Sequence, residues 1–191
     1  MKELSRPNLH LALLHYPVLS KNGETIASAV TNLDLHDISR AARTYGIRSF
    51  YVVTPLEDQK ELVDKIVSHW VSGAGSIYNP KRREALSLIR VKESFEDVLT
   101  DVEHHEGLHP KTVVTSAKRR EGVMPFHTLR TMMLENGMPL VLVFGTAWGL
   151  TEDFIEAADY VLEPLSGGTD YNHLPVRSAA AVILDSFVGR E

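Results

Sequence analysis

The chain has no cysteine among its 191 residues. That excludes disulfides, thiolate metal sites and cysteine nucleophiles. It fits a reducing compartment, so a cytoplasmic location is expected. No apolar run approaches the roughly 20 residues that a membrane-spanning helix needs. The opening stretch, MKELSRPNLHLALLHYPV, is apolar only briefly, because His10, His15 and Pro17 break it. No small-residue cleavage site follows, so the stretch reads as a first strand and not as a signal peptide. Positive charge is not in excess either, since the formal net charge is -5. This argues mildly against a general nucleic-acid binder and leaves room for a local basic patch. Two short clusters could form one, Lys81-Arg82-Arg83 and Lys118-Arg119-Arg120. Either alone reads as solvated surface charge. No repeat, low-complexity tract or linker divides the chain, so one domain over residues 1–191 is expected. A domain of that length buries roughly 70% of its unfolded surface.

Short β-branched or apolar runs alternate with helical patterns along the whole sequence. Residues 9–16, 49–55, 112–117, 139–145 and 160–164 read as strands. A turn at Asn22-Gly23 marks a hairpin-like loop. Residues 34–46 carry Leu35, Ile38, Ala41, Ala42 and Tyr45 at helical spacing and end at Gly46. Residues 56–73 place Leu62, Val63, Ile66, Val67 and Trp70 on one helical face. Asn79 and Pro80 open a helix predicted over 79–89. Ser94 and Asp97 have capping-box spacing for a helix over 94–107. Further helices are predicted over 126–137, 151–159 and 175–189. The alternation implies an α/β fold, an open and mostly parallel sheet with helices on both faces. Ligands in such sheets bind at the carboxyl ends of the strands. Three strand ends therefore stand out: Thr115-Ser116-Ala117, Phe144-Gly145-Thr146 and Glu163-Pro164-Leu165.

His105-Glu106-Gly107-Leu108-His109 matches the H-E-x-x-H pattern of zinc proteases. That chemistry needs both histidines on one helical turn. Gly107 and Pro110 end the helix first, so no metal site is expected there. The stretch LVLVFGTAWGLTEDF runs from a buried strand into a glycine-bearing loop. Gly145 and Gly149 would let a ligand approach the backbone, and Thr151 would cap the next helix. A phosphate loop is missing, as is G-x-G-x-x-G, so dinucleotide binding has little support.

VVTSAKRR, VFGTAWGLTEDF, VLEPL and YNHLPVRSAAAVILD occur in that order, each at a strand end or helix start. Together they resemble the cofactor half of the SPOUT, or α/β-knot, RNA methyltransferases. Upstream, TNLDLHDISRAARTYGI is similar to the family's first motif, with Arg40 and Gly46 matching. Asp34 stands where many ribose methylators have Asn. With HYPVLSKNGE, PLEDQ and SHWVSGAGSIYNPKRREAL, nearly the whole chain resembles one bacterial single-domain subfamily described as SAM-dependent RNA methyltransferases.

The resemblance implies a deep trefoil knot at the carboxyl terminus, S-adenosylmethionine bound in the knot loops, tRNA or rRNA as substrate, and a homodimer. Thr115, Ser116 and Ala117 would lie near the methionine or ribose end. Phe144, Gly145, Thr146 and Gly149 would border the ribose and adenine. Leu162, Pro164, Leu165, Leu174 and Val176 would enclose the adenine, and Ser178 and Ala179 would let the last helix come close.

On the acceptor side, the resemblance makes Arg40 the catalytic candidate, with Asp34 and His36 to orient it. Histidine changes charge near neutral pH, so His173 is the candidate general base. Asn172, Arg177, His15, Tyr16 and Arg119 are candidates for contact with the acceptor RNA. Ribose methylators carry Ser-Leu-Asn-Val-Ser where this chain has His173-Leu174-Pro175-Val176-Arg177. That departure argues against a ribose oxygen as acceptor and leaves a base open. It also keeps a second reading, a knotted protein that binds the cofactor or RNA without turnover.

Overall fold

The computed structural model describes residues 7–189. The chain begins with β1 (Leu9–Leu14) and a small antiparallel hairpin, β2 (Val18–Leu19) and β3 (Thr25–Ile26). Then come α1 (Asn32–Thr44), β4 (Phe50–Val53), α2 (Glu57–Val71), α3 (Ala74–Tyr78), α4 (Pro80–Leu86) and β5 (Ile89–Lys92). The second half runs α5 (Phe95–Glu106), β6 (Lys111–Val114), α6 (Phe126–Asn136), β7 (Leu140–Gly145), α7 (Glu152–Glu156), β8 (Tyr160–Val161) and α8 (Val176–Val188). Six strands form one sheet in the order β5-β4-β1-β7-β6-β8, and every neighbouring pair is parallel. The expected open α/β sheet is the one observed.

The central strand shows why. All six residues of β1 are buried, and successive side chains point to opposite faces. Leu9, Leu11 and Leu13 join a core with Leu35 and Ile38 of α1, Val63 of α2, Leu86 of α4, Leu129 of α6 and Leu184 of α8. Ala12 and Leu14 join the opposite core with Val98 and Val102 of α5 and Ile155 of α7. A sheet buried on both faces needs helices on both, which the alternating sequence supplies.

The predicted caps are present. Asn79 accepts from the Arg82 N–H at 3.0 Å, with Pro80 opening α4. Ser94 and Asp97 form the reciprocal capping box of α5. Gly107 ends α5 in the left-handed region at φ 71°, so His109 lies beyond the helix and cannot share a turn with His105. Two expectations fail locally, and one helix was not foreseen. Leu62 is exposed, because the buried face of α2 centres on Val63. The helix expected over 79–89 stops at Leu86, and Ile89–Lys92 instead pairs with β4 as an edge strand. The short α3 carries no apolar period in sequence; a tertiary contact described below fixes it.

Candidate active site

β7, β6 and β8 are consecutive neighbours in the sheet, so their carboxyl ends open side by side. The three segments singled out in sequence leave from those ends. Thr115 continues β6, its N–H and hydroxyl both donating to the Val143 carbonyl (3.0 and 2.9 Å). Residues 163–175 form the long connection from β8 to α8. Asn172 reaches back from that connection and donates from Nδ2 to the Ala117 carbonyl at 3.0 Å. The β6 and β8 loops are thereby tied together. The Ser116 hydroxyl accepts from the Lys118 N–H at 3.2 Å, closing the β6 loop on itself. Ala117, Trp148, Tyr171 and Leu174 are exposed, so the three loops form an open mouth. A separate cleft of about 450 Å³ lies beside β8, lined by Arg120, Gly122, Met124, Asp159 and Tyr160. It includes none of the predicted cofactor residues.

Several of those residues contribute differently from the sequence reading. Phe144 and Leu162 are core side chains, so only their backbone can face a ligand. The Leu162 N–H is already bonded to the Val114 carbonyl at 2.9 Å. Gly145 was expected to let a ligand approach, but the loop itself fills that space. A Cβ at Gly145 would lie 2.8 Å from the Leu150 backbone nitrogen. Gly149 does face open space, with no heavy atom within 4 Å of its would-be Cβ. Pro164, Leu165, Val176, Ser178 and Ala179 are half-buried at the base of the mouth, and Val176 opens α8. The exposed Leu174, Trp148 and Tyr171 side chains give this mouth apolar and aromatic walls, the kind of lining that a flat ring such as adenine needs.

A crevice lies at the next strand end. Leu14 pairs with Gly145 in register, so His15 and Thr146 leave the sheet together. The chain then diverges, β1 leading toward β4 and β7 toward β8, which opens a crevice between them. Ser28 fills it. Its hydroxyl lies 3.0 Å from His15 Nδ1 and 2.5 Å from the Thr146 hydroxyl, which also contacts the Leu14 carbonyl at 2.9 Å. His15 is fully buried, and burial holds its pKa at about 4 against the pull of Asp34. Its Nε2 is buried with no hydrogen-bond partner. Tyr16, next in the chain, is exposed.

Asp34 does not orient Arg40. Its Oδ2 accepts from the Thr31 hydroxyl at 2.7 Å, and its Oδ1 lies 3.5 Å from Arg177 Nη1. Arg177 Nε also lies 3.5 Å from Asp37, so the first turn of α8 is clamped to α1. Helical spacing explains this, since Asp34 and Asp37 are three apart on one face. Arg40 lies one turn further on, exposed and with no ion pair among the described residues. His36 packs edge-on against Trp70 at 5.5 Å between ring centroids. Burial lowers its pKa, followed by the charge of Arg82, with Arg40 adding to the same effect and Asp37 opposing it. His173 is exposed and, among the described residues, meets only the Tyr171 ring, at 5.6 Å. Sequence reading missed Ser28, Thr31 and Asp37. No local pattern marks them, because their partners are brought up by the sheet and by α8.

The two basic clusters differ. Glu152 holds Arg120 at 2.6 Å and Lys118 at 3.8 Å, leaving Arg119 exposed between them. Arg82 lies over the Trp70 ring at 4.5 Å. Among the described residues, no group of three or more metal-ligating side chains is present, and no helix is long and apolar enough to cross a membrane.

The fold is similar to that of solved SpoU methyltransferases. The structure of AviRb from Streptomyces viridochromogenes with bound AdoMet superposes with a TM-score of 0.58 at 17% identity, covering 98% of this chain and 61% of that one. The family model described as SAM-dependent RNA methyltransferase matches residues 8–189, and the chain belongs to that family. A tRNA (guanine-N(1)-)-methyltransferase of Oleidesulfovibrio alaskensis is 43% identical over 95% of this chain, but the match spans only 42% of that protein. An uncharacterized protein of Aquifex aeolicus is 37% identical over 96% of this chain and 89% of its own length.

Proposed function

We propose that residues 1–191 act as one cytoplasmic methyltransferase domain that moves the methyl group of S-adenosylmethionine to structured RNA, with tRNA the first class to test. One observation carries this: the loops after β6, β7 and β8 converge at adjacent strand ends, tied by the Asn172–Ala117 bond, beside the crevice that holds His15 and Asp34. When bound, S-adenosylmethionine supplies an electrophilic methyl group on a sulfonium. Ser116, Ala117, Thr146, Gly149 and Leu174 hold its polar and flat parts. Arg177, clamped by Asp34 and Asp37, fixes the start of α8 against α1 and closes the mouth. Arg40, always cationic, orients the acceptor or its phosphate. His173 takes the acceptor's proton where one must leave. The neutral His15 and Ser28 hold Thr146 in place.

The guanine-N1 activity in the relative's name is not assigned to this chain, because more than half of that relative lies outside the match. The open connection 163–175 is the segment that threads the knot. The protein works as a homodimer, which would cover the exposed Leu33 of α1, Leu174 and Val182 of α8.

Calorimetric titration with S-adenosylmethionine and its demethylated product tests the pocket, and transfer of labelled methyl to tRNA and rRNA tests the activity. Arg40→Ala is expected to lose transfer and keep cofactor affinity. The departure at His173 to Arg177 favours a second reading, a non-catalytic binder. Cofactor binding without transfer to any RNA would select it.

A further inference from the structure

Ile77 and Tyr78 are 86% and 87% exposed, adjacent in the chain, and large. They end α3, and Asn79 and Pro80 turn the chain directly into Lys81, Arg82 and Arg83 of α4. The placement is rigid. A Cβ at Gly75 would lie 2.7 Å from the Trp70 ring, so α3 sits flush on α2 there. Arg82 covers Trp70 from α4, and His36 meets its edge from α1. Three helices thus converge on one indole, and the opposite side of α3 is left in solvent. In α4 three cations meet one carboxylate, Glu84, which lies 3.2 Å from both Lys81 and Arg43. Arg83 has no ion pair among the described residues and is exposed.

We propose that the α3–α4 knuckle docks an unpaired segment of the acceptor RNA, Tyr78 stacking on a base while Lys81 and Arg83 hold the phosphates on either side. The proposal rests on the RNA-methyltransferase reading. Charge complementarity selects the occupant. An apolar protein interface is depleted of charge at its centre, whereas here the aromatic is flanked by cations. An exposed aromatic beside cations is the arrangement that binds single strands, through stacking and phosphate contact. The surface is also continuous with the candidate site. Arg82, Trp70 and His36 lead from the knuckle to Arg40 on α1, one helical turn from the Asp37–Arg177 clamp.

The test is fluorescence anisotropy with a labelled RNA hairpin carrying an unpaired loop, and with a fully paired duplex of the same length. Tyr78→Ala is expected to weaken hairpin binding about tenfold and duplex binding little. Lys81→Ala and Arg83→Ala are each expected to weaken both and to reduce the salt slope by about 0.7 to 0.9. Ile77→Ser serves as a second variant with an independent side chain, and thermal melting confirms that each variant folds. Hairpin affinity unchanged in both Tyr78→Ala and Ile77→Ser overturns the proposal. So does a change in self-association by sedimentation with RNA binding intact, which marks a protein contact. Cofactor titration of the parent protein separates the two readings: its failure removes the methyltransferase assignment, whereas the hairpin result judges the knuckle alone.

Discussion

Replacing Gly145 by alanine probes whether the β7 loop is held in one shape. The added Cβ would meet the Leu150 nitrogen at 2.8 Å, Leu150 Cγ at 2.9 Å and the Gly149 carbonyl carbon at 3.0 Å. Carbon contacts settle near 3.5 Å, so the loop must retreat by roughly 0.6 Å. It is not free to do so. The Trp148 N–H donates to the Leu19 carbonyl (3.1 Å), the Leu19 N–H donates to the Gly149 carbonyl (2.9 Å), and Val18 bridges Leu150. Overpacking of this kind costs about 1–3 kcal/mol. For a domain of this size, that lowers the melting temperature by about 2–4 °C per kcal/mol. Because Thr146 and Gly149 move with the loop, affinity for S-adenosylmethionine is expected to fall as well. Differential scanning calorimetry reads the first effect and isothermal titration the second. An unchanged melting temperature together with unchanged affinity would show that the loop yields freely, and the rigid-loop argument would be refuted.

Burial holds both His10 and His15 at about 4, below the ordinary 6.5. The unfolded chain therefore binds protons that the native state refuses between those values, and stability falls as pH drops through that window. Each histidine contributes a loss of about 2 kcal/mol by about pH 5, read as a lower urea midpoint than at neutral pH, and His15→Gln removes about half of the total. A midpoint insensitive to pH over that range would contradict the burial argument. Arg177→Ala leaves the buried Asp34 without its cation and costs about 1 kcal/mol after allowance for the arginine's partial exposure, while Asp34→Asn in that background recovers part of it in a double-mutant cycle. Glu152→Gln releases Arg120 and Lys118, so tRNA affinity at low salt is expected to rise with little change in melting temperature; a fall in affinity would contradict an RNA-facing role for that cluster.

The sheet and its layers were legible because β1, β4 and β7 are short buried runs that alternate with helical patterns. What was not legible depended on tertiary partners. Ile89 reads as the end of a helix until β4 offers residues 89–92 an edge. Leu62 fits the helical period of α2 as well as Val63 does, and only the docking angle of the helix decides between them. The loops that form the mouth were legible because they leave strand ends in a fixed order. The His15–Ser28–Thr146 contacts could not be, since Ser28 is 118 residues from Thr146 and carries no motif. Asp34 was paired with the wrong arginine for the same reason: Arg40 is near it in sequence, whereas Arg177 comes to it across the fold.

An acidic chain can still work on RNA because its charges are sorted in space. Arg48 is held by Glu106, Arg90 and Lys92 are both held by Asp101, and Lys111 is held by Asp159. On α1, α2 and α4, Glu84 likewise meets Arg43 and Lys81, Glu57 meets Lys60 and Glu61 meets Lys65. Among the described residues, Arg40, Arg82, Arg83 and Arg119 have no ion-pair partner. A carboxylate that already neutralises a neighbouring cation adds little repulsion beyond a Debye length of about 8 Å at physiological salt. The net charge of -5 therefore says little about the field at the knuckle and the mouth. A nucleic acid that reaches the knuckle meets the exposed Lys81 and Arg83 locally, whereas the exposed Glu57, Asp58, Glu61 and Asp64 of α2 act on it mainly when salt is low.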